Sequence, residues 1–189
     1  GEDVVDAWLE QVKEVEGPLY GQLVVVDTHS PLANAPLRRA RLGLPSVGTG
    51  SLLDRYDAAV TALDDVVARL DEGLAKQGRQ NRLLVFIGDH GEGLDYPEHA
   101  GRAHGRWLYE TTVHIPWIMH GPGVKPGSVI GGLSESVDMA PTVLEMAGVA
   151  AGEGLMGDSR AAAVRGERPT TGETSVYSET RYGREDKGR

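Results

Sequence analysis

Apolar positions along this chain fall into two kinds of run. Residues 4–15, VVDAWLEQVKEV, place Val4, Ala7, Trp8, Val12 and Val15 at helical spacing, which predicts an amphipathic helix ended by Gly17-Pro18. Residues 54–76 are the clearest helix: Tyr56, Val60, Leu63, Val67, Leu70 and Leu74 recur every three or four positions, acids face outward, and Gly78 follows the last apolar turn. Against these stripes stand short unbroken runs. Leu23–Val26, Leu83–Ile87 and Ile115–Met119 are too short for globular helices and read as strands. Strand 23–26, the long helix and strand 83–87 form a β-α-β crossover, which favours a parallel pair. The expectation is an α/β fold with a mostly parallel central sheet flanked by helices.

The rest of the pattern is weaker. Gly131–Ser136 offers a short strand. Asp138 is the expected N-cap of a helix through Ala147, with Pro141 tolerated in its first turn and Gly148 closing it. Asp138 is read as structural. Past Ala150, Gly, Ala and charged residues dominate, and only Thr174–Glu179 resembles a strand. One domain is expected over 1–189, with its core at about 20–149 and a less ordered extension over 150–189.

Chemistry concentrates between Arg82 and Gly123. The run 83–87 stops at Gly88, Asp89 and His90 follow, and five of the six histidines lie from position 90 to 120. The second run ends in His120-Gly121-Pro122-Gly123, a turn signal. Side chains just beyond the carboxyl end of a strand in an α/β sheet face the ligand crevice. Asp89 and His90 offer a hard carboxylate oxygen and an imidazole nitrogen, both ligands for a divalent cation. Neighbours inside a strand point to opposite faces, so the two converge only where the strand has ended. The plainer reading is that Asp89 caps a turn and His90 is an ordinary loop residue. Asp27-Thr28-His29-Ser30-Pro31 sits at the end of strand 23–26, where His29 either serves the site or decorates a loop. Arg38, Arg39 and Arg41 make a basic cluster in the Pro/Gly-rich segment 31–50, which a solvated face explains better than substrate attraction.

Composition narrows the classes. A length of 189 residues, 40% of them hydrophobic, suffices for one real core. Nineteen basic against 28 acidic residues give a net charge of −9, which argues against a general nucleic-acid surface. No run approaches transmembrane length and no signal peptide is visible at Gly1. The absence of cysteine excludes disulfides and thiolate metal sites and leaves the compartment open, a periplasmic or extracellular one included.

GDHGE, AHGRWLYE, HIPWIMHGPGV and VDMAPTVLEMAGV, in that order and spacing, resemble the C-terminal part of the sulfatase family, in the alkaline phosphatase superfamily, over roughly Tyr20–Val149. The resemblance implies a partial alkaline-phosphatase-like fold. It also implies that Asp89 and His90 are metal ligands, and that His104 and His29 contact the ester oxygens and serve catalysis. Relatives often carry Asn at the place of His90 and Lys at that of His104. The implied cofactor is a divalent metal ion, Ca²⁺ first, with Mn²⁺ or Zn²⁺ admitted by the imidazole. The family's nucleophile is a formylglycine made from Cys- or Ser-x-Pro-x-Arg, well before the His29-type histidine. The sole near match, Asn34-Ala35-Pro36-Leu37-Arg38, offers an amide, which is no nucleophile. The chain therefore reads as a sulfatase-type hydrolase of sulfate esters that lacks its nucleophile-bearing segment and is inactive alone. The alternatives are a phosphodiesterase or phosphonate hydrolase acting on phosphate-type esters, and a non-catalytic module that binds metal or anion.

Overall fold

The computed structural model describes residues 1–29, 32, 43, 51–99, 104–167 and 175–180. The basic cluster at 38–41, the Asn34–Arg38 segment and Thr174 lie outside them. The chain divides into two compact units, Gly1–Gln80 and Asn81–Arg189.

The first unit is a helix pair, α1 (Glu2–Val12) and α2 (Leu52–Lys76). Ser51 and Asp54 form a reciprocal capping box at the start of α2, Ser51 Oγ accepting from the Asp54 amide and Asp54 Oδ2 from the Ser51 amide. The contacts between the helices advance together along both chains. Gly1 lies against Val66, Asp6 pairs with Arg69, Leu9 packs on Gly73, and Arg79 donates to the Val12 carbonyl. The two helices therefore run parallel. Leu9 lies so close to Gly73 that a Cβ there would collide with it. This close approach selects small side chains: Ala58, Ala59, Ala62 and Val66 are buried. Of the six-residue stripe expected to face the core, only Leu74 is buried, and Val60 is 44% exposed. The large side chains give way because they would hold the helices apart. Helix α1 also stops at Val12 rather than at Gly17-Pro18. Arg79 donates to the Val12 and Val15 carbonyls and Gln77 Nε2 to that of Leu9, so the last turn is satisfied by residues just past the end of α2.

The second unit is built on β1 (Leu84–Ile87) and β2 (Trp117–His120), which pair Leu84 with His120 and Ile87 with Trp117. The pair is antiparallel; the parallel pair expected from the sequence was a different one, 23–26 with 83–87. Among the described residues these are the only two strands with a ladder. Leu23–Val26 keeps a strand's alternation, Leu23 and Val25 half-buried, Val24 and Val26 72% and 69% exposed, but forms none. An apolar run specifies burial and not a partner, and the edge offered to β1 comes from the chain returning after residue 116. Between the strands lie a short 3₁₀ turn, Pro97–His99, and one helical turn, α3 (Glu110–Val113). Gly131–Ser136 is not a strand either. It leads into a 3₁₀ turn, Ser136–Asp138, and then α4 (Met139–Met146), where Pro141 is buried in the first turn as its missing N–H permits.

Helix α5 (Ala161–Val164) packs on α4, with Ala161 and Val164 buried and the Lys125 amide donating to the Val164 carbonyl. Residues past 150 thus contribute to the packing. Their tie is Asp138, which is 2% exposed. It accepts from the Arg160 guanidinium at 2.7 and 2.9 Å, from the Asp158 amide at 2.8 Å and from the Glu135 amide at 3.1 Å. The Arg160 amide in turn donates to Thr142 Oγ1 at 2.8 Å. No helix among the described residues is long and apolar enough to cross a membrane.

Burial pushes the Asp138 carboxyl up, but the Asp158 amide, Arg160 and the Glu135 amide outweigh it and hold the group below its ordinary value of 3.8. The unfolded chain therefore binds this proton at higher pH than the folded one. The stabilisation is fully present above about pH 4 and is lost as pH falls through the lower folded value. Arg160→Ala strands a buried carboxylate and should cost about 3 kcal/mol in urea unfolding at pH 7. Asp138→Asn should flatten the acid limb of the stability profile.

Candidate active site

The loop after β1 is tied down by its backbone. The Gly88 amide donates to the Pro116 carbonyl at 3.1 Å, extending the ladder one residue past Ile87. The Gly91 amide donates to the Thr112 carbonyl at 2.9 Å, and a Cβ at Gly91 would collide with the Thr111 carbonyl. Only glycine allows this approach of site loop to α3. Asp89 and His90 lie between these two anchors. Leu94, at φ +45°, then turns the chain in the left-handed region, a strain of about 1 kcal/mol for a residue with a Cβ.

The turn brings the two side chains together, Asp89 Oδ2 lying 3.6 Å from His90 Nε2. That is too long for a hydrogen bond. Nδ1 of His90 lies 2.8 Å from the Gly91 carbonyl, which can only accept, so Nδ1 carries the proton and Nε2 of the neutral ring presents its lone pair. Asp89 is 90% exposed at its side chain, and one of its oxygens accepts from the His90 amide at 3.0 Å.

His104 stacks on His90 with ring centroids 4.0 Å apart. Its Nδ1 meets Glu92 Oε2 at 3.2 Å, and the other Glu92 oxygen accepts from the Gly93 amide at 2.9 Å. Asp89, His90 and His104 are therefore brought together, with Glu92 as a fourth member that the sequence pattern did not single out. His29 lies in the first unit, exposed, in the turn after residue 26; its amide donates to the Val26 carbonyl at 3.0 Å.

The other histidines do structural work or sit on the surface. His99 is 1% exposed, its Nε2 2.6 Å from Thr111 Oγ1 and its ring edge-on to Tyr109. It pins the 3₁₀ turn to α3. His114 pairs with Glu110 on the surface at 2.8 Å. His120 ends β2, opposite Leu84.

The sulfatase family model matches residues 2–149. The chain belongs to the sulfatase family. It is 37% identical over 106 residues to an N-acetylglucosamine-6-O-sulfatase of Bacteroides thetaiotaomicron, 55% of this chain and 18% of that protein. It is 34% identical over 81 residues to human arylsulfatase K, 42% of this chain and 14% of that protein. The chain thus matches less than a fifth of the length of these sulfatases. Its fold is that of a putative sulfatase from Bacteroides fragilis, with a TM-score of 0.69 at 21% identity over 88% of this chain and 41% of that one.

Sulfatases typically use a divalent metal ion. The donor chemistry at Asp89 and His90 fits one: an exposed carboxylate beside an imidazole whose lone pair is set by a backbone carbonyl, the second contact that commonly orients a metal-binding histidine. Two ligands alone hold an ion poorly, and among the described residues no group of three or more His, Asp or Glu is gathered to do so.

The structural assignment of His99 has its own check. Thr111→Val removes the hydroxyl partner of a buried imidazole and should cost about 1–3 kcal/mol of stability. The carbon frame of the side chain is kept, so urea unfolding of this variant reads the loss of that one hydrogen bond.

Proposed function

We propose that this chain is part of a single sulfatase-type catalytic domain and supplies the metal- and ester-binding portion of a sulfate-ester hydrolase. The observation that carries the reading is the Asp89–His90 pair just past the end of β1, with Nδ1 of His90 committed to the Gly91 carbonyl. Asp89 and His90 are assigned as ligands of a divalent cation. Ca²⁺ is the first choice, and Mn²⁺ and Zn²⁺ are the competitors that an imidazole admits. The ion, when bound, neutralises charge developing on the non-bridging oxygens of the ester.

The chain's own residues do the rest. His104, on the same loop, is assigned to the reacting ester, meeting an oxygen or exchanging a proton with the leaving alcohol. His29 is assigned the second such contact on the strand-then-His-x-Pro pattern. The nucleophile and the remaining metal ligands are assigned to residues outside these 189, because Asn34–Arg38 cannot provide one. Sulfated sugars and aryl sulfates are the proposed substrate class, in keeping with the names of the relatives. A phosphonate or phosphodiester hydrolase would use the same residues, and the assays below separate the two.

The metal assignment is tested on the chain itself. Mn²⁺ should broaden the amide resonances around Asp89–Gly91 selectively, with Ca²⁺ competing. Asp89→Ala should weaken binding at least about tenfold, as loss of a ligand does. Broadening elsewhere that persists in Asp89→Ala would sink the assignment.

Activity is tested in two forms. The 189 residues alone should show no metal-dependent turnover of an aryl sulfate, since groups that act as a unit lose most of their rate when one is absent. Joined to a segment carrying Cys- or Ser-x-Pro-x-Arg and its aspartates, they should hydrolyse aryl sulfate in preference to aryl phosphate or phosphonate. Asp89→Ala in that longer form should lose about a thousandfold or more in kcat/KM. No turnover in the longer form would favour the non-catalytic reading.

A further inference from the structure

We propose that Glu92 is the positioning residue of this site and selects the nitrogen that His104 presents. The inference rests on the reading above only for what His104 meets; the contact itself belongs to this chain. Glu92 is largely withdrawn from solvent, its side chain 15% exposed and that of His104 29%. One Glu92 oxygen is held by the Gly93 amide at 2.9 Å, which fixes the carboxylate on its own backbone. The other lies 3.2 Å from His104 Nδ1. A carboxylate can only accept, so the proton in that contact sits on Nδ1. Free imidazole side chains favour the opposite tautomer, with the proton on Nε2. Glu92 therefore reverses the intrinsic preference and makes Nε2 of the neutral ring an acceptor.

This has a chemical consequence. A neutral His104 held this way cannot donate from Nε2 to a sulfate oxygen, which is itself an acceptor. What it can do from Nε2 is accept a proton. In that neutral form Nε2 is set to take a proton from an attacking oxygen. His90, stacked on the same ring, is set the same way by the Gly91 carbonyl. Both rings of the stack are anchored through Nδ1, one by a carboxylate and one by the backbone.

The test reads the tautomer directly and needs no turnover. Long-range ¹H–¹⁵N correlation on the full 189-residue chain at pH 9, where histidine is ordinarily neutral, distinguishes a protonated from a lone-pair ring nitrogen. His104 should read as protonated at Nδ1 and lone-pair at Nε2, its signal identified by its loss in His104→Gln. In Glu92→Ala the two nitrogens should exchange character, moving toward the Nε2-protonated form. In Glu92→Gln, whose amide oxygen still accepts, the native pattern should be retained. A wild-type His104 protonated on Nε2, or a pattern unchanged in Glu92→Ala, would overturn the proposal. Should Glu92→Ala fail to fold, the wild-type tautomer decides alone. If the tautomer is as stated but the longer protein hydrolyses no ester, the functional reading fails while the role of Glu92 stands.

Discussion

The backbone contact between Gly91 and α3 is what the site depends on. The Gly91 amide reaches the Thr112 carbonyl, and the absence of a Cβ lets it lie against that of Thr111. Behind α3, buried His99 holds Thr111 from the other side, and Thr112 Oγ1 donates to the Trp107 and Tyr109 carbonyls. A span of some thirty residues between two four-residue strands is thereby reduced to a loop with fixed points. Asp89 and His90 inherit their placement from those points and from the ladder contact at Gly88. The sheet contributes a starting direction, and the loop's own hydrogen bonds contribute the rest.

Much of this was legible in the sequence, for identifiable reasons. A short apolar run closed by glycine predicts a strand end, and Asp-His after it predicts a convergent pair; both rest on local geometry, and both sit where expected. The long helix was legible because its period persists through about five turns. What failed was partner choice. The stripe from Tyr56 to Leu70 has the right period, but the small residues won the interface because Gly73 lets Leu9 come close. Strand pairing was no easier to read, since nothing in an apolar run says that β1 will be bordered by the strand that returns after it.

Glu92 escaped notice for a different reason. A glutamate flanked by glycines reads as a solvated turn residue, and its partner lies twelve positions on, beyond any helical or strand period. Asp138 was readable as structural, but its partner Arg160, twenty-two positions away, was not. Polar networks closed over such distances leave no periodic trace. Only the cost of burying a charge alone, about 3–5 kcal/mol when one partner is removed, requires that a partner exist.

Residues 23–26 carry a consequence for handling this chain in solution. Their side chains alternate between half-buried and exposed, Val24 and Val26 face solvent, and among the described residues they join no ladder. An apolar run that alternates like a strand and exposes two valines invites pairing with another copy of itself. Concentrated solutions of the isolated chain should therefore tend toward edge-to-edge association. A lysine in place of Val24 or Val26 is the natural gatekeeper, because it places a charge on the open face and leaves the half-buried Leu23 and Val25 untouched.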